Sequence, residues 1–363
     1  MKILRFLLII IPITFLLSSC VDGTRNKNLL AKAGGQTGEI ILVIDSIHRN
    51  SVLGKEIENT FRSLVEGLPR PEPEFTIRYI MPEDFQGILK NAQNIIIVAV
   101  LNNYSRNSER VKNYFTTSSI ERIKNEPDLF LLSKQNEWAI GQEVLFLYGQ
   151  TDEILANKIA ENRDKLRLHF NNIEKKRLEV SLYKAKELKE VGNVLIENHQ
   201  FSVRVPFGWR VEFEDKSRNF VWLRLPGVDV DRNIWVYYED YTTSDIFKDA
   251  TAFRDRITKK YIYENKERND TSYVVVETLI PPVSREINFH GKFALKMNGL
   301  WKTKNHSMGG PFASYMFVDE ELNRIYFIDG FVYSPGKSQR EFMREIDTIL
   351  WTFRTESELK PST

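Results

Sequence analysis

One loop of the chain combines several side chains that could bind a polar ligand. The stretch KTKNHSMGGPF, residues 302–312, ends in a Gly-Gly-Pro turn, and glycine lets the backbone approach a ligand closely. The donors of the loop suit a carboxylate, a phosphate or a sugar hydroxyl. They are Lys302, Lys304, Asn305, His306 and Ser307. We predict a binding loop, and the alternative is a polar hairpin whose glycines only turn the chain.

Trp301 and Asp45 are two further candidates for ligand binding. Five of the six tryptophans lie in the second half of the chain, where we expect most of them in the core. Trp301 adjoins the loop, and we predict that it is the most exposed of them. Asp45 ends an apolar run, at the edge where open α/β sheets bind ligands, and His48 follows it. The alternative for Asp45 is a helix cap.

A weak calcium pattern occurs in the stretch VDVDRN. Asp229, Asp231 and Asn233 have the spacing of the first three ligands of an EF-hand loop. The sixth position of that loop requires glycine for its sharp turn, and Ile234 stands there instead. The following residues also have the pattern of a strand. The pattern therefore favours a polar turn between strands over a calcium site, and no metal is expected.

No catalytic residue is predicted from the sequence. The chain lacks the G-x-S-x-G, phosphate-loop, G-x-G-x-x-G and H-E-x-x-H motifs. Its five histidines do not have the spacing of metal ligands, and we expect most of them to be structural. We therefore expect no cofactor, and a binding protein more than an enzyme.

The single cysteine follows a segment with the properties of a secretory signal peptide. Lys2 and Arg5 precede an apolar run over residues 6–17 that is too short to span a membrane. Leu-Ser-Ser-Cys at its end resembles the bacterial lipobox, in which the cysteine is lipidated and the chain is cut just before it. This resemblance predicts residues 1–19 as signal peptide and Cys20 as the lipidation site, followed by a flexible tether through residue 38.

The charge of the chain changes with this cleavage. The full chain has 51 basic and 49 acidic residues, and residues 1–19 contain Lys2, Arg5 and no acid. The remaining chain therefore has 49 of each sign and no net charge. A neutral body gives no electrostatic reason to expect a nucleic-acid partner.

The elements that must position these residues form two domains. Residues 39–185 alternate between buried-strand patterns such as EIILVID and amphipathic helices, which predicts an α/β domain. A long helix is predicted over 151–180, with Thr151 or Asp152 as its N-cap. Residues 186–357 are aromatic and strand-rich and predict an α+β domain, an antiparallel sheet packed by helices. Residues 358–363 are predicted to be a tail.

The second domain resembles a known family. The run GLWKTKNHSMGGPFASYMFVDEELNRIYFIDGFVYSPGKSQREFMREIDTILWTF, residues 299–353, is similar to the closing segment of an uncharacterised family of Bacteroidota lipoproteins, domain of unknown function 4837. The same element order extends the resemblance over nearly the whole chain after residue 19. It implies a location in the cell envelope and no assigned activity. FSVRVPFGWRV, residues 201–211, is also similar to PsbP-like modules, which implies an assembly or binding role.

These observations predict a lipid-anchored protein of the cell envelope, at the outer membrane and facing the periplasm. Its expected partners are the membrane, through the lipid, and an envelope protein or glycan. We predict a non-catalytic binding or assembly adaptor. The alternatives are an envelope hydrolase or transferase that uses the loop at 302–312, and a carrier of a small ligand that uses this loop or a cleft between the two halves.

Overall fold

A computed structural model describes residues 30–126, 128–263 and 272–359 of the chain. The signal peptide and Cys20 lie outside these residues. The elements of the first domain are β1 (Glu39–Val43), α1 (Ser46–Arg49), α2 (Val52–Phe61), β2 (Thr76–Ile80), β3 (Asn94–Val100), α3 (Arg106–Lys112), α4 (Thr117–Asn125), β4 (Leu131–Gln135), β5 (Glu143–Gly149), α5 (Asp152–Glu161) and α6 (Arg163–Lys184).

The first domain is a layered α/β domain. Its sheet has the order β2-β1-β3-β5-β4, in which β4 is antiparallel to β5 and the other pairs are parallel. The central strands are buried because helices cover both faces, which explains their unbroken apolar sequences. The carboxyl ends of β1, β3 and β5 meet at one edge. This fold class is the one that the sequence predicts.

The long helix predicted over 151–180 is two helices, α5 and α6. They meet at Asn162, whose side chain donates to the carbonyl of Lys158 at 2.9 Å and interrupts the helical backbone. Thr151 caps α5 by accepting from the N–H of Ile154, so the cap was predicted correctly.

The second domain begins after α6. Its elements are α7 (Lys189–His199), β6 (Phe201–Ser202), β7 (Arg210–Asp215), β8 (Phe220–Leu225), β9 (Asp231–Asp240), α8 (Ala250–Tyr261), β10 (Val274–Val276), β11 (Val283–Phe289), β12 (Lys292–Thr303), β13 (Gly309–Asp319), β14 (Arg324–Tyr333), α9 (Arg340–Leu350), β15 (Arg354–Thr355) and α10 (Glu356–Leu359).

The second domain is an antiparallel sheet with helices on both faces, which confirms the predicted α+β class. The strand order is β10-β12-β13-β14-β9-β8-β7, and β11 pairs with the free part of β12. One face packs against α7 and α9, and the other face packs an aromatic cluster against α8. In the part of the chain that the structure describes, no helix combines the length and the apolar character needed to cross a membrane.

A loop of the first domain reaches over to the second. We call residues 62–75, between α2 and β2, the arm. Its two halves pair with each other, since the N–H of Val65 donates to the carbonyl of Glu72 and that of Glu74 to Ser63. Leu68, near its tip, packs against the core of the second domain. The arm therefore joins the two domains apart from the chain connection between α6 and α7.

Candidate functional site

A cavity of about 720 Å³ lies between the two domains. The arm and α6 line it from the first domain, and β11, β12, β13 and α9 line it from the second. Its size lies within the range of small-molecule sites, about 300–1,000 Å³. We call this cavity the cleft.

A cluster of charged groups forms the floor of the cleft. Asp347 on α9 lies 2.6 Å from the ammonium of Lys296 on β12 and 3.4 Å from that of Lys175 on α6. The phenol of Tyr315 on β13 donates a short hydrogen bond to the same carboxylate. Lys175 also lies over the ring of Trp351, 4.1 Å from its centre. Two ammonium groups thus contact one carboxylate. The more distant Glu179 also attracts Lys175, but it pairs directly with Arg204.

These contacts shift the acid–base properties of the floor. Burial alone would raise the pKa of Asp347, but the charges of Lys296 and Lys175 and the bonds from Lys296 and Tyr315 hold it well below its ordinary range. Burial and the negative charge of Asp347 raise the pKa of Tyr315 well above its ordinary range. Burial lowers the pKa of Lys175, and Asp347 only partly offsets this. The carboxylate therefore stays ionised and the phenol stays protonated at neutral pH.

Strand pairing places the floor residues together. Side chains two apart on a strand share a face, and Lys296 is directly opposite both Arg285 on β11 and Tyr315 on β13. Six basic and three acidic side chains line the cleft. Outside the lining, Glu341 pairs with Arg340 and Arg344, and Asp164 pairs with Arg167. A positive excess therefore remains. The basic side chains are Arg167, Lys175, Arg285, Lys296, Arg340 and Arg344, and the acidic ones are Glu66, Glu74 and Asp347.

The arm closes one end of the cleft through a tight backbone contact. Gly67 has φ +75°, and a Cβ atom placed there would lie 2.7 Å from the N of Gly299 and 2.9 Å from the carbonyl carbon of Asn298. Only glycine fits this position. Glu66 forms an ion pair with Arg285 beside it.

The arm also caps a helix of the second domain. The carboxylate of Glu72 accepts from the N–H of Gln339 at 2.7 Å and from the N–H of Arg340 at 3.0 Å, at the start of α9. Ser338 donates to it as well. A first-domain residue thus supplies the cap that Gln339 itself does not.

A second polar cluster lies at the carboxyl edge of the first sheet. The carboxylate of Asp45 accepts from the N–H of Ile47 at 3.3 Å and so caps α1, and it also accepts from the hydroxyl of Ser105. The buried ring of His48 lies beside it, with Nδ1 2.6 Å from Asp152. Asp45 therefore has the helix-cap geometry and also connects the loops that follow β1 and β3.

The proton of His48 can be assigned from its neighbours. Oδ1 of Asn103 accepts from the N–H of Ser105 at 2.8 Å, so the amide NH₂ of Asn103 faces Nε2 of His48, also at 2.8 Å. Nε2 therefore accepts a hydrogen bond, and the ring proton lies on Nδ1 beside Asp152.

The hydroxyl of Ser108 lies 3.4 Å from Nε2 of His48, which gives a Ser-His-Asp series in space. However, Asn103 already occupies Nε2 at the shorter distance, and Ser108 is only 3% exposed. This cluster ties three loops together and does not present an accessible nucleophile.

The loop at 302–312 contains a tight turn. Some of its side chains bond to one another, and its two lysines interact with residues outside it. His306 has φ +60°, and its N–H donates to the carbonyl of Thr303. The side chain of Asn305 accepts from Ser307. Lys302 pairs with Glu277 at 3.1 Å, and Lys304 lies 5.4 Å from the ring centre of Tyr273. The five polar candidates of the loop do not line the cleft, although Pro311 and Phe312 at its end do, and ligand binding by the loop stays a prediction.

The prediction that Trp301 is the most exposed tryptophan is wrong. Its side chain is 2% exposed and packs edge-to-face against Phe331 in the aromatic cluster. Its Nε1 donates to the carbonyl of Val332 at 3.1 Å. β12 continues through this position, and Trp301 lies on the face of the strand that packs into the aromatic cluster.

The weak calcium candidate is not supported. Asp231 and Asn233 lie within β9, and Asp231 accepts from the guanidinium of Arg224 at 3.0 Å. Asp229 pairs with Lys337 at 2.9 Å. These carboxylates already have cationic partners, and no cluster of three or more potential metal ligands occurs among the described residues.

His169 on α6 is partly exposed and bonds to a residue of the sheet. Its Nε2 lies 2.8 Å from the carboxylate of Glu143, which is buried at the start of β5.

The sequence gives almost no indication of the cleft. Lys175 has the helical spacing of a cleft-facing residue, but nothing in the sequence shows that Lys296 and Asp347 meet it.

Two family models match the chain, whereas no curated protein matches it. The Ran-binding protein Mog1p of Saccharomyces cerevisiae is 11% identical, with 43% of this chain and 90% of that chain covered and a TM-score of 0.28. PA94 of Pseudomonas aeruginosa, a protein of unknown function, is 13% identical, with 44% and 92% covered and a TM-score of 0.26. TM-scores this low do not establish a shared fold.

The family matches divide the chain as the two domains do. Residues 33–183 match the model of a domain of unknown function, DUF8532. The predicted resemblance to domain of unknown function 4837 is confirmed, but over the second domain and not over nearly the whole chain. Residues 187–352 match the model of the family described as domain of unknown function DUF4837.

Proposed function

We propose that this protein is a lipid-anchored binding protein of the cell envelope that holds an anionic ligand in the cleft between its domains. The single observation that supports this most is the floor of the cleft. Lys175 and Lys296, one from each domain, share the carboxylate of Asp347 and leave a positive charge in a partly desolvated cavity. The electrostatic attraction between this charge and a bound anion is stronger in the cavity than at the surface, because the effective dielectric constant is lower there.

The charge balance of the chain supports an anionic ligand. The chain after residue 19 has equal numbers of basic and acidic residues, so a surplus of basic side chains in the cleft is a local feature. Because the whole molecule has no net charge, it has no long-range attraction for anions. The basic side chains of the cleft would select the anion instead.

The acid–base states of Asp347 and Tyr315 support binding more than catalysis by these two groups. General acid–base catalysis works best with a pKa near the working pH. The pKa of Asp347 is held well below its ordinary range, and that of Tyr315 well above it. Neither group is therefore prepared to exchange a proton near neutral pH.

The lipid anchor in this proposal is based on the lipobox resemblance at Cys20. We propose that the lipid holds the protein at the outer membrane, facing the periplasm, with the two domains at the end of the tether. The same cationic floor would hold an acidic group presented by an envelope protein or glycan, which is the adaptor form of this function.

Native mass spectrometry of the full chain tests this proposal. We expect the protein extracted from membranes to carry a bound anion that is lost in Lys296→Met. Lys292→Met is the matched control, because Lys292 lies on the same strand, is similarly exposed and pairs with Glu358 at 2.7 Å. Equal occupancy in the two variants, or a protein that never carries an anion, would overturn the proposal.

A further inference from the structure

We propose that the ligand of the cleft is an amphiphilic anion, with a carboxylate or phosphate head at Lys175 and Lys296 and an apolar tail that extends beneath the arm. This inference rests on the proposed function, because it names the chemical class of the ligand for the same site. The observation that carries it is a change from charged to apolar lining, which occurs in the same direction on both walls of the cleft.

The strand wall shows this change along β12 and β13. Lys296 pairs with Tyr315 at the charged floor, Asn298 pairs with Ala313, and Leu300 pairs with Pro311. Four residues along a strand span about 13 Å. Tyr315, Ala313 and Pro311 all line the cleft, so the strand wall changes from a phenol and an ammonium to small apolar groups.

The helix wall shows the same change along α6. Lys175, Asn171 and Leu168 lie on one face of the helix, at spacings of four and three residues, and all line the cleft. Seven residues of helix span about 10 Å. The two walls thus go from charge to apolar surface over similar lengths, and they share the charged end because Lys175 and Lys296 meet at Asp347.

The apolar end leaves hydrophobic surface uncovered. Leu64 of the arm and Leu168 of α6 both line the cleft, and each is 58% exposed. Covering such surface stabilises a complex by roughly 25 cal/mol per Å². An apolar tail between these side chains would cover both.

The arginines of this end already have charged or carbonyl partners. Arg167, which lines the cleft beside Leu168, lies 3.7 Å from Glu74 and 3.4 Å from Asp164. Arg340 donates to the carbonyl of Pro73, and Arg344 donates to the carbonyl of Glu74 and pairs with Glu341. They are held by the arm and by a carboxylate. The positive charge available to a head group is therefore at the lysine end, which sets the direction of the ligand.

Photo-crosslinking of the full chain in nanodiscs tests the inference. Three probes carry the same diazirine: hexadecanoic acid, hexadecan-1-ol and pentanoic acid. We expect the long acid to label peptides that contain residues 64–68 and 340–351. The alcohol lacks the charge and the short acid lacks the tail, so we expect each to label them at least about tenfold less, the ratio of a 1.4 kcal/mol loss of binding.

Variants then separate the head from the tail. Lys296→Met should reduce labelling by the long acid about tenfold, and Lys292→Met should leave it unchanged. Leu168→Asn should reduce labelling by the long acid and leave labelling by the short acid unchanged. A diazirine-bearing lysophosphatidate distinguishes a lipid headgroup from a free acid. When it competes with the hexadecanoic acid probe, the probe whose head group the cleft prefers should label more strongly.

The outcomes distinguish this inference from the proposed function. If the short acid labels the cleft as strongly as the long acid and depends on Lys296, the ligand is a small anion. The proposed function then stands and the inference is overturned. If the alcohol labels as well as the acid and Lys296→Met has no effect, both are overturned. No labelling of the cleft by any probe overturns both as well.

Discussion

At the scale of single residues, Asp347 occupies the place that an anionic ligand would take. Its carboxylate already accepts from two ammonium groups and a phenol that come from three different elements. A ligand head group competes with this carboxylate for the lysines. Asp347 therefore sets the affinity of the cleft as well as its structure.

Replacement of this carboxylate should strengthen anion binding. In Asp347→Asn we expect labelling by the long-chain acid to rise about tenfold, since both ammonium groups become available to the ligand. We expect the free energy of unfolding to fall by about 2 kcal/mol, because charged hydrogen bonds are lost. Asp245→Asn, at an exposed ion pair with Lys248, is the control for charge alone. Weaker labelling in Asp347→Asn would contradict this role.

A second carboxylate, Asp329, is important for stability and not for the cleft. It is fully buried with Arg254, at 2.8 Å and 3.2 Å from two guanidinium nitrogens, and Ser314 donates to it at 2.6 Å. We expect Asp329→Ala to lower the free energy of unfolding by about 3–5 kcal/mol, because a charge is left buried and unpaired. Urea denaturation measures this loss. The double variant Arg254→Met/Asp329→Leu should recover most of it, and a double variant as unstable as the single one would contradict the explanation.

At the scale of elements, the arm connects the domains through contacts that depend on its backbone. Gly67 approaches β12 where no side chain fits. In Gly67→Ala we expect a loss of about 1–3 kcal/mol, from the overlap with Asn298 and Gly299 and from the positive φ. Gly336→Ala is the matched control, because Gly336 has the same φ of +75° and open space around it. Thermal unfolding measures the loss of stability in both variants, and the difference between the two losses is the cost of the overlap. Equal losses would show that the contact has no effect.

The cap of α9 gives this connection a pH dependence. Burial raises the pKa of Glu72, but the hydrogen bonds from Ser338 and from the N–H groups of Gln339 and Arg340 lower it more, so it lies below the ordinary value of 4.5. A carboxyl whose pKa is lower in the folded state stabilises the fold above its unfolded pKa. It loses that contribution as the pH falls through the folded value.

We therefore expect Glu72→Gln to lower the free energy of unfolding by about 1 kcal/mol at neutral pH. The difference from the unchanged chain should shrink as the pH is lowered from neutral to well below 4.5 and the carboxylate becomes protonated. Denaturant titrations at neutral and at acidic pH measure it. Glu83→Gln, on the surface of the first domain, should show no such trend. A difference that stays constant with pH would contradict the capping role.

At the scale of the whole molecule, the proposal combines a lipid anchor with a two-domain body. A protein with several acyl chains stays attached to a membrane, whereas one chain binds only marginally. We expect Cys20→Ala to abolish labelling by an alkyne fatty acid and to move the protein out of the membrane fraction. Lipid labelling followed by fractionation measures both, and labelling that persists in this variant would contradict the anchor.

The sequence by itself determined the class of each domain and limited the cap of α5 to Thr151 or Asp152, because these depend on residues near one another in the chain. Apolar periodicity, turn residues and the Thr151 cap act locally, and the five-stranded and antiparallel sheets agree with them. Only the tertiary structure decided which charged groups meet. Asp347 is 172 residues from Lys175 and 51 from Lys296, so no local pattern relates them.

The same distinction explains the wrong prediction for Trp301. A polar loop next to a tryptophan suggested exposure, but the pairing of β12 with β13 turns its ring into the core. A strand has two faces, and the fold alone decides which of them is buried. The cleft also depends on the tertiary structure. Its walls come from two domains and an arm, and its charge exists only because strand register and helix phase bring distant residues to one floor.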